Sequence, residues 1–184
     1  MDAYYTTPVG PFAGALGANF NTFTTRQDVS PVPCPIIQPN QLRIGTRIKM
    51  EAEGEWSATA TPTLVLGFWA GAVGASGGVA ATTFLIAESS AFTLSAITNI
   101  PWRLEWRGIV TVTGTSGSVV GSGDIEIGTS LTAFTDAPIP ITLALRTITW
   151  DTTLARACGV CATFSASSVS NNVRVYNHTV LLLN

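Results

Sequence analysis

From Leu42 to Leu183 the apolar residues recur at every second position, and no amphipathic stretch of helical spacing lasts three turns. The first segment is the clearest. Leu42, Ile44, Ile48, Met50 and Ala52 fall on one side of an extended chain, while Arg43, Arg47, Lys49, Glu51 and Glu53 fall on the other. A helix would scatter these apolar side chains around its circumference, whereas a pleated strand gathers them on one face. The pattern predicts an all-β protein whose strands are greasy on one side and wet on the other.

About eight strands follow from this alternation, over residues 42–55, 61–70, 79–87, 101–113, 117–127, 139–149, 156–166 and 173–183. Turn signals separate them, among them Gly71 to Gly78, Gly114-Thr115-Ser116-Gly117 and Ser165 to Asn172. Short strands at such spacing predict an antiparallel sandwich or barrel. Trp102, Leu104, Trp106, Val110 and Val112 define a core face on the fourth strand. The closing strand ends Val180-Leu181-Leu182-Leu183, apolar on both sides, which predicts that a neighbouring subunit covers Val180 and Leu182. Residues 1–30 read as a separate extended arm ahead of a domain over 31–184, because Tyr4, Tyr5, Phe12, Phe20 and Phe23 are spaced there without periodicity. Five aromatics suit an arm that makes partner contacts better than a solvating tail. Pro31 to Pro39 is proline-rich and predicts an extended lead into the first long strand.

The 184 residues suffice for one domain with its own core, without disulfide or metal. Only 11% of the residues are charged, well below the ordinary quarter. A Thr- and Ser-rich surface of that kind favours protein–protein packing, since it avoids the desolvation cost of buried charges. The net charge of −2, with nine dispersed basic residues, offers no stripe for a phosphate backbone and argues against direct nucleic-acid binding. The N-terminus carries Asp2 in place of a basic region, so no export signal is expected. Trp56 to Ala87 lacks charge over a length that could cross a bilayer, but its glycine-rich middle predicts two strands and a turn, not a membrane span. Three cysteines, Cys34, Cys158 and Cys161, are too few and odd for a disulfide framework and suggest a reducing compartment during folding.

Four constellations could carry chemistry. Gly74-Ala75-Ser76-Gly77-Gly78 matches the G-x-S-x-G nucleophile pattern, but a strand is expected after it where that elbow needs a helix, and His178 is the one available histidine. A hydrolase acting through Ser76 is therefore disfavoured, and no catalytic residue is assigned. Cys158-Gly159-Val160-Cys161 has the spacing of a zinc knuckle, yet on a strand the two thiols point to opposite sides, with Cys158 inward and Cys161 outward. No metal or other cofactor is expected. Glu51, Glu53 and Glu55 share one face and predict cross-strand pairs with Arg103, Arg107 or Arg174. Trp56, Trp69 and Trp150 remain as possible sugar platforms beside the core pair Trp102 and Trp106.

Several phrases, taken in order, resemble a family of tailed-bacteriophage virion proteins found in phages of actinobacteria. They are Leu42-Arg43-Ile44-Gly45-Thr46-Arg47 leading into Glu51-Ala52-Glu53-Gly54, then Thr61-Pro62-Thr63-Leu64-Val65-Leu66-Gly67, Ile100-Pro101-Trp102-Arg103-Leu104-Glu105 and Thr149-Trp150-Asp151-Thr152-Thr153, with an end at Leu183-Asn184. The resemblance covers about residues 30–184 and leaves the aromatic arm outside it. It implies a jelly-roll sandwich that forms a homotrimer and binds the major capsid protein on the outer head surface as a decoration or cement protein. A tail or host-adhesion module that binds carbohydrate is the alternative.

Overall fold

The computed structural model describes residues 20–142 and 146–183. The described chain is all-β and antiparallel, in two packed sheets. In chain order the strands are β1 (Phe20–Asn21), β2 (Gln27–Asp28), β3 (Ile36–Ile37), β4 (Arg47–Ser57), β5 (Thr63–Val73), β6 (Val79–Glu88) and β7 (Phe92–Thr93). They continue with β8 (Ile100–Val112), β9 (Ser118–Gly128), β10 (Phe134–Ile139), β11 (Thr147–Thr149), β12 (Arg156–Phe164) and β13 (Asn172–Leu183). The larger sheet runs β1-β13-β4-β8-β9-β10, with β11 also on β9. The smaller runs β2-β12-β5-β6, with β3 on β12 and β7 on β5.

The seven long strands lie close to their expected spans, because alternation and burial agree there. Along β8 every even-numbered residue from Ile100 to Val110 is buried, whereas Val112, expected on the same face, is exposed beyond a register shift against β9. Ile48, Met50, Ala52 and Trp56 of β4 face inward beside them. Leu64, Leu66, Phe68 and Ala70 of β5 meet them from the smaller sheet, together with Cys158, Val160, Ala162 and Phe164 of β12. Trp106 lies in this core above the cross-strand pair Gly108 and Gly121. A β-carbon on Gly121 would stand 2.2 Å from the indole, and one on Gly108 the same distance, so the ring occupies space that two absent side chains leave.

Four expectations are corrected. The span 139–149 is not one strand: β10 and β11 pair with opposite ends of β9, and the chain leaves the ladder between them, where Pro138 and Pro140 cannot donate to it. Ile44 is 71% exposed, because Gly45 at φ +90° turns the chain before β4 begins at Arg47. Residues 20–30 belong to the sandwich: β1 pairs with β13, β2 pairs with β12, and Phe23 is buried against Phe164 with ring centroids 5.4 Å apart. Val180 and Leu182 are buried by the chain's own core, facing inward from β13, so no subunit is needed to cover them; Leu181 and Leu183 hold the outward positions. Tyr4, Tyr5 and Phe12 lie outside the described residues.

Candidate interaction surface

The polar groups singled out in the sequence mostly serve the fold. Ser76 sits in the tight turn between β5 and β6, where Gly74 N–H donates to Gly78 O at 2.8 Å and Gly77 N–H to Gly74 O at 2.9 Å. A strand follows the turn, so Ser76 is not on a nucleophile elbow. The sole histidine, His178, is buried in the core and stacks on Phe68 of the opposite sheet at 6.0 Å. With neither ring nitrogen hydrogen-bonded, burial pulls its pKa down to about 4 and keeps it neutral.

Cys158 points into the core, as its alternation predicts, but Cys161 on the other side of β12 is buried as well. The cover comes from the N-terminal segment and the bent β5–β6 hairpin. Asp28 accepts hydrogen bonds from Ser30 N–H and Oγ–H at 3.0 and 2.6 Å and from Val79 N–H at 3.3 Å. Ser30 Oγ accepts from Val160 N–H at 2.6 Å, and Cys34 N–H donates to Gly77 O at 2.9 Å. Burial pushes the Cys34 thiol up to about 12 and raises Cys158 and Cys161 further, so all three stay protonated and inert. Among the described residues, no three His, Cys, Asp or Glu side chains converge as a metal site.

Two of the three tryptophans proposed as sugar platforms are occupied in the core. Trp56 is fully buried and donates its indole N–H to Gly128 O at 2.8 Å; Trp150 is fully buried edge-on to Phe84 at 5.1 Å. Trp69 is half-buried, with its indole nitrogen covered beside Gly159. Trp56 and Trp150 therefore present no open face.

The outer face of the larger sheet is accessible, and its side chains are sorted along the strands. The register aligns Arg47 with Ile109 and Leu183, Lys49 with Arg107, Glu51 with Glu105, Glu53 with Arg103 and Asn177, and Glu55 with Pro101 and Arg174. The centre is an ion-pair network in which the Glu105 carboxylate meets Arg107 at 2.6 Å, and Lys49 and Arg103 at 3.5 Å each. Lys49 also reaches Glu51 at 2.8 Å, which holds the Glu51 carboxyl below its usual range. At one end a shallow hollow gathers Arg47, Lys49, Arg107 and Arg146 around Ile109 and Val120. At the other, a second hollow gathers Glu53, Glu55 and Glu126 with Arg103 around Pro101, Phe134 and Tyr176, and Glu55 there is already paired with Arg174. A register shift between Val175 and Asn177 turns Tyr176 outward. The expected pairing of the glutamates is thus found for Glu51 with Arg103 and for Glu55 with Arg174.

Sequence reasoning passed over Ile109, Val120, Phe134 and Tyr176 as surface residues, although the parity that buries Val110 and Val119 already places Ile109 and Val120 outside. Phe134 and Tyr176 had no such signal, since one lies on a short edge strand and the other in a bulge. Comparison with family models, with curated proteins and with solved structures gives no match.

Proposed function

We propose that this chain is a non-enzymatic virion component of a tailed bacteriophage, a head decoration or cement protein that trimerises and binds the major capsid protein. The observation that carries the reading is the ordered set of phrases from Leu42 to Leu183, joined to a two-sheet sandwich over the same residues. The internal use of His178 and the three cysteines supports it, because it leaves the accessible surface to docking instead of turnover. The jelly-roll label rests on nested pairing, first long strand with last (β4 with β13) and second with next to last (β5 with β12). The adjacent pairs β5–β6 and β8–β9 within single sheets depart from the full alternation between sheets of a standard jelly roll.

In this role the protein works by bridging. A trimer seated between capsomers makes several contacts at once, and detachment requires all of them to open together, so individually weak contacts hold by effective concentration. The aromatic residues Tyr4, Tyr5 and Phe12 precede the sandwich and are proposed to contact the shell; Phe20 and Phe23 belong to the fold. Electron microscopy of purified particles with labelled protein tests the assignment directly. Density on the outer head surface is the expected result, and density confined to the tail, or no incorporation, refutes it. Deleting residues 1–19, which leaves β1 intact, is expected to lower capsid occupancy without unfolding the sandwich; unchanged occupancy would remove the arm from the mechanism.

A further inference from the structure

The outer face of the larger sheet is electrically polar in a way that its own ion pairs do not cancel. From Arg47 to Glu55 along β4 is eight residues, ~27 Å at the rise of a strand. The Debye length at physiological salt is ~8 Å, so charges at the two extremes of the face do not neutralise one another. The ion pairs of Glu51 and Glu105 use up Lys49, Arg103 and Arg107, and Arg174 is paired with Glu55, so the uncancelled charges are Arg47 and Arg146 at one end and Glu53, Glu126 and Asp136 at the other, none of which forms an ion pair among the described residues. Each end also exposes apolar surface beside its charges: Ile109 is 41% and Val120 39% exposed at the basic end, Phe134 59% and Tyr176 39% at the acidic end. Glu126 and Asp136, paired across β9 and β10, extend the acidic end, and both are exposed.

We infer that the basic end of this face seats on the acidic end of a second copy of the same chain. Each end supplies what the other needs, guanidinium groups around an aliphatic patch on one side, carboxylates around an aromatic notch on the other. A head-to-tail contact joins the two ends and leaves Glu51 and Glu105 at the centre of the network wet, which avoids part of the desolvation cost of burying the whole linked set face to face. Such a contact is heterologous, so it closes a ring or runs on as a filament. A ring of three follows from the trimer of the preceding subsection, and only that number rests on it. Charge complementarity at the ends sets register and direction, and the apolar residues add buried area.

Charge reversal tests this with the full chain. Light scattering at concentrations from 1 to 100 µM, on the order of common interface affinities, reads the mass of the wild type, of Arg47→Glu/Arg107→Glu, of Glu126→Lys/Asp136→Lys, and of the variant carrying all four changes. All four positions are exposed on strands, and circular dichroism confirms the fold of each. The expected result is an assembled wild type, at least a tenfold weaker assembly for each end-reversed variant, and recovery in the fourfold variant, whose ends are complementary again. Mixing the two end-reversed variants reads the ring: every complementary seat joins unlike copies, so the mixture forms open or even-numbered alternating assemblies and no closed trimer, whereas a face-to-face arrangement stops at a dimer. A monomeric wild type, an end-reversed variant that assembles like the wild type, or a fourfold variant that stays apart overturns the inference, as does a mixture whose mass stops at a heterodimer at every concentration. If the variants assemble normally but lose capsid occupancy, the face belongs to the shell and the inference falls while the decoration role stands. If they fail to assemble and the wild type is absent from heads, the contact stands and the decoration role falls.

Discussion

At the scale of single residues, the core carries two departures from a plain apolar filling, and each has a measurable consequence. His178 stays neutral with its pKa lowered from 6.5 to about 4, because burial opposes its charged form. Above pH 6.5 folded and unfolded chains both hold it neutral, and it contributes no pH dependence. As pH falls from 6.5 to about 4 the unfolded chain gains a proton that the folded chain refuses, so stability declines by ~3 kcal/mol and levels off below that range. His178→Leu is therefore expected to gain ~2–3 kcal/mol on the wild type between pH 7 and pH 4.5, by chemical denaturation at each pH. The second departure is the glycine pair beneath Trp106. Gly121→Ala places a methyl group against the indole at 2.2 Å and is expected to cost about 1–3 kcal/mol, whereas Gly114→Ala adds a β-carbon with nothing within 4 Å and tests only the φ of +107°.

At the scale of elements, the N-terminal segment from Phe20 to Pro35 is a structural strap. It closes the outer side of β12 through Asp28 and Ser30 and inserts Phe23 against Phe164. Phe23→Ala is expected to cost about 3–5 kcal/mol in urea unfolding, the range for truncating a buried aromatic. Deleting residues 1–25 should destabilise the fold by a similar amount, and deleting 1–19 should not. The aromatic spacing of this region was legible in the sequence, but its role was not. Phe20 and Phe23 have no alternating neighbours because each plugs a gap at a strand edge and neither is part of a long ladder. The same limit applies to β10 and β11, where the pattern of Ile139 to Thr149 suggested one continuous strand and the prolines divide it. The long strands β4 and β8 were readable because ten or more residues repeat one rule.

At the scale of the whole molecule, charge is concentrated on one face of one sheet. Within a monomer those exposed ion pairs add little, from zero to about 1 kcal/mol each, and are screened by salt. Raising NaCl from 0.1 to 1 M should leave the denaturant midpoint of the isolated chain nearly unchanged, while the concentration needed for assembly rises severalfold, because screening acts on the contact between ends. Equal salt sensitivity of both would show that the face serves the monomer alone. The cysteines give a complementary measure: thiol-reactive dye should label none of the three in the folded protein and all three after unfolding.

Alternation alone determined that this chain is all-β, where its long strands lie, and which side of each is apolar, because a pleat projects a period of two directly onto two faces. Only the tertiary structure decided which strands became neighbours, and with them every property that depends on residues far apart in the chain. It folded residues 20–30 into the sheets, put both sides of β12 out of reach of solvent, and spent Val180, Leu182, Trp56 and Trp150 on a single core. It also sorted Arg47, Arg107, Glu55 and Glu126 to opposite ends of one face, since register between antiparallel strands, and not order along the chain, sets which charges stand together.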